Sequence, residues 1–341
     1  MNILLTGGTG YIGSHAAVEL LNLSHDLTLL DNLSNSKPTV VEKIAEITKK
    51  SPEFIKIDLL DEPSLNDFFQ NHSFDLVIHF AGKKAVGESV EKPLEYYENN
   101  VKGSINLFKA MSRHGIKKLI FSSSATVYGM RDVEKFTEDM ETGMNISSPY
   151  GRSKFMIEEI LKDLAASDPD WQISLLRYFN PIGNHPSGLI GEDPNGTPNN
   201  LMPIIMKVAK GEIPELKIYG TDYDTEDGTC LRDYIHVVDL AKGHVAAMNY
   251  LSPGVSIYNL GSGVGTSVKE MVEAFEFASG KPLPHSFAPR RPGDIARIIA
   301  DPAKANRELN WRTTLSVKDA MKDTLTFLKK SPASRENNYI P

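Results

Sequence analysis

The sequence predicts an α/β protein whose first half is a doubly wound parallel sheet. Short apolar runs alternate there with longer segments of helical spacing, as strands joined by crossover helices require. A glycine-rich turn, Gly7-Gly8-Thr9-Gly10-Tyr11-Ile12-Gly13, lies between the first run and the first helical segment. After Asn180 the alternation gives way to clusters of Pro, Gly and Asn, which predicts a second, smaller mixed α/β domain.

The strands of the sheet are predicted from apolar runs, which lie at 3–6, 27–30, 54–57, 76–80, 118–122 and 173–176. Two of the intervening segments, 93–113 and 149–166, carry apolar residues at helical spacing. Further along, 232–239 returns to the first pattern and 255–260 reads as a strand that rejoins the sheet. We therefore expect discontinuous domains: a Rossmann-type domain of 1–179 plus about 234–262, and a second domain of 180–233 plus about 263–341.

Composition excludes several classes of protein. The chain has 341 residues, 40% of them hydrophobic, so it can bury the cores of two domains. A net charge of −7 without basic runs argues against a nucleic-acid-binding protein. We expect a cytoplasmic protein without membrane segments, since no signal sequence is seen and no run approaches about 18 apolar residues.

Cysteine and histidine usage gives two further expectations. The single cysteine, Cys230, cannot form an internal disulfide, which suits a reducing compartment, and we interpret it as a packing residue. The nine histidines show no metal-ligand spacing. No metal site is therefore expected.

The glycine-rich turn predicts a dinucleotide site. Between a strand and a helix, a pyrophosphate would meet backbone N–H groups and a helix N-terminus at Gly7, Gly10, Tyr11, Ile12 and Gly13. Asp31 ends the next strand, where an acid accepts a hydrogen bond from a ribose hydroxyl and repels a 2′-phosphate. These features favour NAD over NADP, although an ordinary connecting turn and a solvated Asp are the alternatives.

A second motif predicts redox chemistry at a hydroxyl group. Tyr150 and Lys154 are four apart after the helix-start residue Pro149, so they share one face, and a cation beside a phenol favours phenolate. Tyr150 is the candidate base for an alcohol proton, with NAD as the hydride acceptor. Ser124 can donate to the same oxygen, assisted by Thr126. The alternatives are a surface contact and the start of a loop.

Together these residues resemble the extended short-chain dehydrogenase/reductase family. The resemblance includes the glycine-rich turn, Asp31, Asp58, 80–82, Ser124 and the Tyr150–Lys154 pair. Longer motifs at 84–89, 93–97, 122–129, 176–181 and 199–203 resemble, within that family, the epimerases that act at C4 of UDP-hexoses. The similarity runs from residue 1 to about 328.

The resemblance implies reversible epimerisation of UDP-galactose and UDP-glucose through a 4-keto sugar, with tightly bound NAD, in a homodimer of galactose metabolism. It implies cofactor contacts at the turn and Asp31 and also at Asn32, Asp58, Leu59, Phe80, Ala81, Lys84, Asn99, Tyr150, Lys154 and Phe179. It implies substrate contacts at Ser124, Thr126, Tyr150, Asn180, Asn200, Leu201, Lys217, Tyr219, Arg232, Arg291, Asp294 and Ile298. Arginines suit a diphosphate because they bind it in a bidentate manner, with an ordinary surface ion pair as the alternative for either one.

Ile298 stands where, by the same resemblance, a residue sets the size of the sugar pocket. A Tyr there restricts the pocket to hexoses, and a small residue admits N-acetylated sugars. Since Ile is intermediate in size and stiff, weak activity on UDP-N-acetylglucosamine is expected.

Three other functions remain open from the sequence. A nucleotide-sugar 4,6-dehydratase would resemble this chain but carry an acid pair after a Thr, where Ala125 and Thr126 stand. An NAD-dependent dehydrogenase would release NADH. A non-enzymatic NAD-sensing module would usually lack Tyr150 or Lys154, and both are present.

Overall fold

A computed structural model of the chain describes residues 1–193, 200–291 and 293–330. Parts of the predicted segments lie outside these ranges: 194–199, which belongs to the stretch rich in Pro, Gly and Asn and includes the start of the motif at 199–203, and the end of the second domain, 331–341. Within the described ranges, no helix is both long enough and apolar enough to cross a bilayer.

The first half alternates strands and helices as predicted. Its elements are β1 (Asn2–Thr6), α1 (Tyr11–Asn22), β2 (Asp26–Asp31), α2 (Thr39–Thr48), β3 (Glu53–Lys56), α3 (Glu62–Asn71), β4 (Leu76–His79), α4 (Val86–Glu91), α5 (Pro93–Tyr96), α6 (Gly103–Arg113), β5 (Lys118–Ser124), α7 (Pro149–Ser167) and β6 (Gln172–Tyr178). The predicted helix at 93–113 is not uniform, because a π-helical segment, Tyr97–Lys102, joins α5 to α6. A 3₁₀ turn, Ala125–Tyr128, follows β5.

The second half has shorter strands. Its elements are β7 (Asn180–Ile182), α8 (Leu201–Ala209), β8 (Leu216–Tyr219), β9 (Leu231–His236), α9 (Val237–Asn249), β10 (Gly254–Leu260), β11 (Gly265–Ser267), α10 (Val268–Ser279), β12 (His285–Ala288), β13 (Arg297–Ile298), α11 (Ala303–Glu308) and α12 (Val317–Lys330).

Seven parallel strands form the large sheet, in the order β10-β6-β5-β4-β1-β2-β3. The predicted Rossmann-type architecture is therefore confirmed. Because the strand order reverses between β1 and β4, a crevice opens there at the carboxyl ends of the strands, where α/β sheets bind ligands. The glycine-rich turn, Asp31 and Ser124 all lie at this edge.

Helices cover both faces of the sheet, which explains why its central strands β1 and β4 are mainly apolar. Ile3 and Leu5 of β1 face a core that includes residues of α1 and α9, whereas Leu4 faces a core that includes residues of α3, α6 and α7. Each of these three side chains is fully buried. Burying a side chain of this size contributes about 1.5 to 3 kcal/mol.

A separate core holds the second half together. Side chains of α8, α10 and α12 pack with Ile182 and Tyr234. In the small sheet, β9 pairs with β7 and β13 in parallel and with β11 antiparallel, and β8 pairs with β12 in a two-stranded sheet.

Two segments differ from the expected organisation. The stretch 232–239 does not return to the large sheet, because β9 pairs with β7 in the small one; only β10 rejoins the large sheet, beside β6. The expected boundary near residue 234 thus falls inside β9. Trp311 and residues of α11 pack in the core of the large sheet, and α11 contacts β10, the edge strand of that sheet. The division into two domains otherwise stays a prediction.

Candidate functional site

The glycine-rich turn is closed so tightly that side chains would not fit. Gly7 has a φ of +69°, and a Cβ added to it would lie 2.6 Å from the Ala81 amide nitrogen. A Cβ on Gly13 would lie 2.3 Å from the Gly7 carbonyl oxygen. Gly10 precedes α1 and has no side chain with which to cap it. The first N–H groups of α1 therefore point at a cradle that fits an anion such as a pyrophosphate.

Asp31 stands beside this cradle at the end of β2. Its carboxylate accepts hydrogen bonds from the Leu33 amide at 2.9 Å and the Thr9 amide at 3.3 Å. The two oxygens of a carboxylate have further acceptor positions for a hydroxyl group. Next to it, Asn32 donates to Asp58 over 2.9 Å, so the ends of β2 and β3 are joined. The glycine-rich turn, Asp31, Asn32 and Asp58, all predicted to bind the cofactor, therefore lie at one edge of the sheet.

Asn100, which the sequence interpretation missed, organises the end of β4. Its side chain accepts from the Lys83 amide at 2.8 Å and from Asn99 at 2.9 Å. It also donates to the Lys83 carbonyl at 3.0 Å and to Ser153 of α7 at 3.1 Å. The π-helical segment that carries Asn99 and Asn100 is thereby fixed to the chain after Phe80 and Ala81 and to α7.

Ser124, Thr126 and Tyr150 meet at the carboxyl end of β5. Tyr150 lies in the first turn of α7, which Ser148 caps by accepting from the Gly151 amide at 3.2 Å. The Ser124 hydroxyl faces the Tyr150 phenol and lowers its pKa. The Thr126 hydroxyl donates to Ser124 over 3.0 Å. The structure therefore brings the predicted base and its predicted hydrogen-bonding partners together.

Lys154 lies one turn further along α7 and is buried. Its ammonium donates to the Ser122 carbonyl at 2.6 Å and lies 4.8 Å from the centre of the Phe121 ring. Burial lowers the pKa of Lys154 to about 8, while the Glu158 carboxylate opposes that shift. His79 of β4 faces the same charge: burial and then Lys154 lower its pKa to about 3, so it is neutral.

The pKa of Tyr150 differs from the expectation that Lys154 would lower it. Burial raises the pKa of Tyr150, and the Ser124 hydroxyl is the protein group that lowers it. Lys154 does not lower the pKa of Tyr150 because its ammonium is directed at the Ser122 carbonyl, to which it donates. Within the protein, Ser124 is thus the group that favours phenolate.

A buried ion pair lies behind these residues. Arg177 of β6 donates to Glu158 of α7 through Nε at 3.0 Å and Nη2 at 2.7 Å, and both side chains are almost completely inaccessible. Ser123 of β5 donates to the same carboxylate at 2.5 Å. The Arg177 guanidinium also lies 4.7 Å from the centre of the Tyr128 ring. One network therefore ties α7 to both strands beneath it.

In the second half, two arginines converge on one carboxylate. Arg291 donates to Asp294 at 2.8 Å, and Arg232 lies 3.6 Å from its other oxygen. The Arg291 guanidinium is 4.9 Å from the centre of the Tyr219 ring. These four residues, all predicted substrate contacts, form a polar group with an excess of positive charge.

The remaining predicted substrate residues are spread along the second half. Asn180 begins β7 and donates to the Asp233 carbonyl at 2.9 Å. Asn200 precedes α8 and Leu201 is its first residue, while Lys217 on β8 contacts Glu215 and Ser286. Ile298 packs in a cluster with Phe179, Tyr128, Phe136 and Ala300. The predicted size-setting residue therefore lies near the predicted nicotinamide contact, Phe179.

Two of the charged side chains that the sequence interpretation missed are Glu158 and Glu192. Both are buried; Glu158 pairs with Arg177, and Glu192 pairs with Lys84. Glu158 lies four residues after Lys154 on the same helix, a spacing that could have indicated a contact. For Glu192 the chain offered no comparable signal, because its partner is 108 residues away. Among the described residues, no group of three or more His, Cys, Asp or Glu side chains could hold a metal ion.

Comparison with known proteins adds independent findings. A sequence model of the NAD dependent epimerase/dehydratase family matches residues 3–261. The UDP-glucose 4-epimerase of Bacillus subtilis (strain 168) is 54% identical over 95% of this chain and 96% of its own length. That of Pasteurella multocida (strain Pm70) is 52% identical over 97% and 98%.

Solved structures agree over the same length. The UDP-glucose 4-epimerase from Bifidobacterium longum, in complex with NAD⁺ and UDP, has a TM-score of 0.94 at 50% identity, covering 98% of this chain and all of the other. The enzyme from Stenotrophomonas maltophila, with bound NAD and formylated UDP-arabinopyranose, has a TM-score of 0.93 at 47% identity, covering 96% and 98%.

Proposed function

The chain belongs to the NAD dependent epimerase/dehydratase family, and on this basis we propose that it interconverts UDP-galactose and UDP-glucose by epimerisation at C4. The observation that carries the proposal is the meeting of Ser124 and Tyr150, above Lys154, at the same sheet edge as the glycine cradle. The relatives named UDP-glucose 4-epimerase, similar over nearly the whole chain, support the choice of substrate.

NAD fits the crevice because its charges match the groups there. The N–H groups of α1 and the closely packed glycine-rich turn suit a pyrophosphate, and Asp31 suits a ribose diol. Asn32, Asp58, Leu59, Phe80, Lys84, Asn99 and Phe179 complete the proposed cofactor site. NAD held by these residues would supply both the acceptor and the donor of the hydride.

The protein's own part in the reaction is to move a proton and stabilise charge. Tyr150 takes the proton from the C4 hydroxyl, and Ser124 donates a hydrogen bond to the same oxygen as negative charge develops. Lys154 provides a fixed positive charge below the site. When the keto group is reduced from its other face, Tyr150 returns the proton to O4, so protons and hydride balance over one turnover.

The second half would hold the nucleotide while the sugar turns. Arg232 and Arg291 can give bidentate hydrogen bonds to a diphosphate, and Tyr219, Lys217, Asn180, Asn200 and Leu201 complete the proposed site. Binding energy from this part of the substrate is independent of which C4 epimer is bound. Such a division allows the keto sugar to rotate without leaving the enzyme.

The first test is turnover without added cofactor. The purified protein is expected to convert UDP-galactose to UDP-glucose with no NAD in the buffer and no net NADH formation. Tyr150→Phe is expected to lose about 10²-fold or more in kcat, the typical contribution of a general base. Tyr250→Phe removes a hydroxyl from a half-exposed tyrosine and serves as the matched control, with unchanged kcat.

The outcomes separate this proposal from its alternatives. Stoichiometric NADH release would indicate a dehydrogenase. Loss of water from the sugar would indicate a 4,6-dehydratase. NAD binding without turnover of any nucleotide sugar would indicate a binding module. Retention of more than half of the activity by Tyr150→Phe would show that this phenol is not the base.

The size of the accepted sugar is proposed to depend on Ile298. Its side chain packs beside Phe179, and a few heavy atoms at such a wall change binding by about 1 to 3 kcal/mol. We expect slow epimerisation of UDP-N-acetylglucosamine, which Ile298→Tyr suppresses while sparing UDP-galactose. The ratio of kcat/KM for the two substrates measures this effect. An unchanged ratio in Ile298→Tyr would assign the gate to another residue.

We also propose that the protein assembles as a homodimer through α4, α5 and α7. Val90 and Leu94 are 60% and 81% exposed, Met156 of α7 is 43% exposed, and α4 and α5 both pack against α7. Exposed apolar side chains from adjacent helices favour burial against a second copy. Light scattering is expected to give a dimer for the wild type and a monomer for Leu94→Glu, with Phe277→Glu, another exposed site, still dimeric. A monomeric wild type would contradict the proposal, and a dimeric Leu94→Glu would place the interface elsewhere.

Cytoplasmic location is a further part of the proposal. It is supported by the single cysteine, Cys230, which is buried and unpaired, as reducing conditions allow. Fractionation of cells that produce the protein tests it, and recovery in a secreted fraction would overturn it.

A further inference from the structure

Residues 183–193, which follow β7, return from the second half to the glycine-rich turn; this segment is called the strap below. At its start, the Gly183 carbonyl accepts a hydrogen bond from the Tyr11 hydroxyl at 2.5 Å. At its end, Glu192 lies 2.6 Å from the Lys84 ammonium and Asp193 lies 2.5 Å from that of Lys37. The strap therefore contacts the cofactor half at three separate places.

These places surround the proposed pyrophosphate cradle. Tyr11 begins α1, Lys37 lies in the loop after β2, and Lys84 follows β4. Since β1 lies between β2 and β4 in the sheet, the turn after β1 lies between the two lysines. The Lys84 ammonium is also 5.5 Å from the centre of the Tyr11 ring. The strap thus joins both sides of the glycine-rich turn.

The strap is itself a built loop. Asn184 accepts a hydrogen bond from the Glu192 amide at 2.8 Å, which closes its base, and a Cβ on Gly191 would lie 2.2 Å from the same Asn184 oxygen. The His185 amide donates to the Ile190 carbonyl at 3.1 Å. Ile190 is buried in the core that contains Ile3. This anchoring fixes where the Glu192 carboxylate can stand.

The two ion pairs of the strap are unequal. Glu192 is 5% exposed, so its charge requires a partner, and Lys84 is that partner. Lys37 and Asp193 are both 56% exposed, and surface pairs of this kind contribute little. Of these two ion pairs, that of Glu192 therefore contributes more to the attachment of the strap.

We propose that the strap retains bound NAD, with Glu192 holding Lys84 in place across the glycine-rich turn. This inference rests on the proposed function, because it presupposes that NAD occupies the crevice. An epimerase that returns each hydride to the same substrate gains nothing from exchanging its cofactor between turnovers. A strap that seldom opens meets that requirement. Glu192 is a positioning residue, because it acts through Lys84.

The test measures NAD release from the purified holoprotein. Alcohol dehydrogenase with excess ethanol is added, so that each released NAD⁺ is reduced and detected by absorbance at 340 nm. Glu192→Gln is expected to release NAD at least about tenfold faster, since a charge-assisted hydrogen bond is lost. Asp193→Asn is expected to stay within about twofold of the wild type, because its pair is exposed.

Glu95→Gln is the matched control. Glu95 pairs at 2.7 Å with Lys83, the neighbour of Lys84, but lies outside the strap. Its release rate is expected to equal that of the wild type. Equal acceleration by Glu95→Gln and Glu192→Gln would show a general charge effect and overturn the proposal, as would a wild-type rate in Glu192→Gln.

Two further arms keep the result decisive. If the melting temperature shows that Glu192→Gln does not fold, Glu192→Asp replaces it, since this variant keeps the charge but has a shorter side chain. NAD release at least about threefold faster than in the wild type is then expected. A wild-type release rate in Glu192→Asp would overturn the proposal for the strap. A wild-type protein that neither contains nor binds NAD would contradict the proposed function itself. A wild type that holds NAD, with release indifferent to Glu192, contradicts the strap alone.

Discussion

The buried pair of Glu158 and Arg177 fixes the geometry on which the site depends. Tyr150 and Lys154 are on α7, Ser124 is at the end of β5, and Arg177 is on β6 beside it, so the three elements must keep one register. A bidentate pair with almost no exposed surface, to which Ser123 also donates, fixes that register. Removing one member of such a pair costs about 3 to 5 kcal/mol, because the other charge is left buried alone.

The pair also explains how a buried lysine can remain charged. Burial alone lowers the pKa of Lys154, and Glu158, one turn away, is the group that opposes this shift. Arg177 in turn pairs with Glu158 through two hydrogen bonds. The positive charge that Lys154 places below the proposed site is therefore supported by residues that lie behind it. Asn100 has a comparable part on the other side, where it joins the end of β4 to α7.

Sequence patterns predicted the large sheet because its central strands β1 and β4 are buried on both faces and mainly apolar. They also predicted the residues at the strand ends, since a glycine-rich turn, an acid after the second strand and a Tyr–Lys pair each have a chemical reason for their position. The π-helical segment and the pairing of β9 with β7 were not predictable, because both follow from packing between distant residues. Glu158 looked like one more charged residue of a solvated helix, and only the strand beneath it shows otherwise.

The pH dependence of kcat/KM in Glu158→Gln, with Ser123→Ala as control, tests most directly whether the pair sustains the charge of Lys154. In the wild type, activity is expected to fall as pH rises through the pKa of Lys154, where the ammonium is lost. Because Glu158 raises that pKa, Glu158→Gln is expected to move the alkaline fall to lower pH. Ser123→Ala, which removes a hydrogen bond but no charge, is expected to leave the fall where it is. A folded Glu158→Gln enzyme with the wild-type alkaline fall would contradict the account.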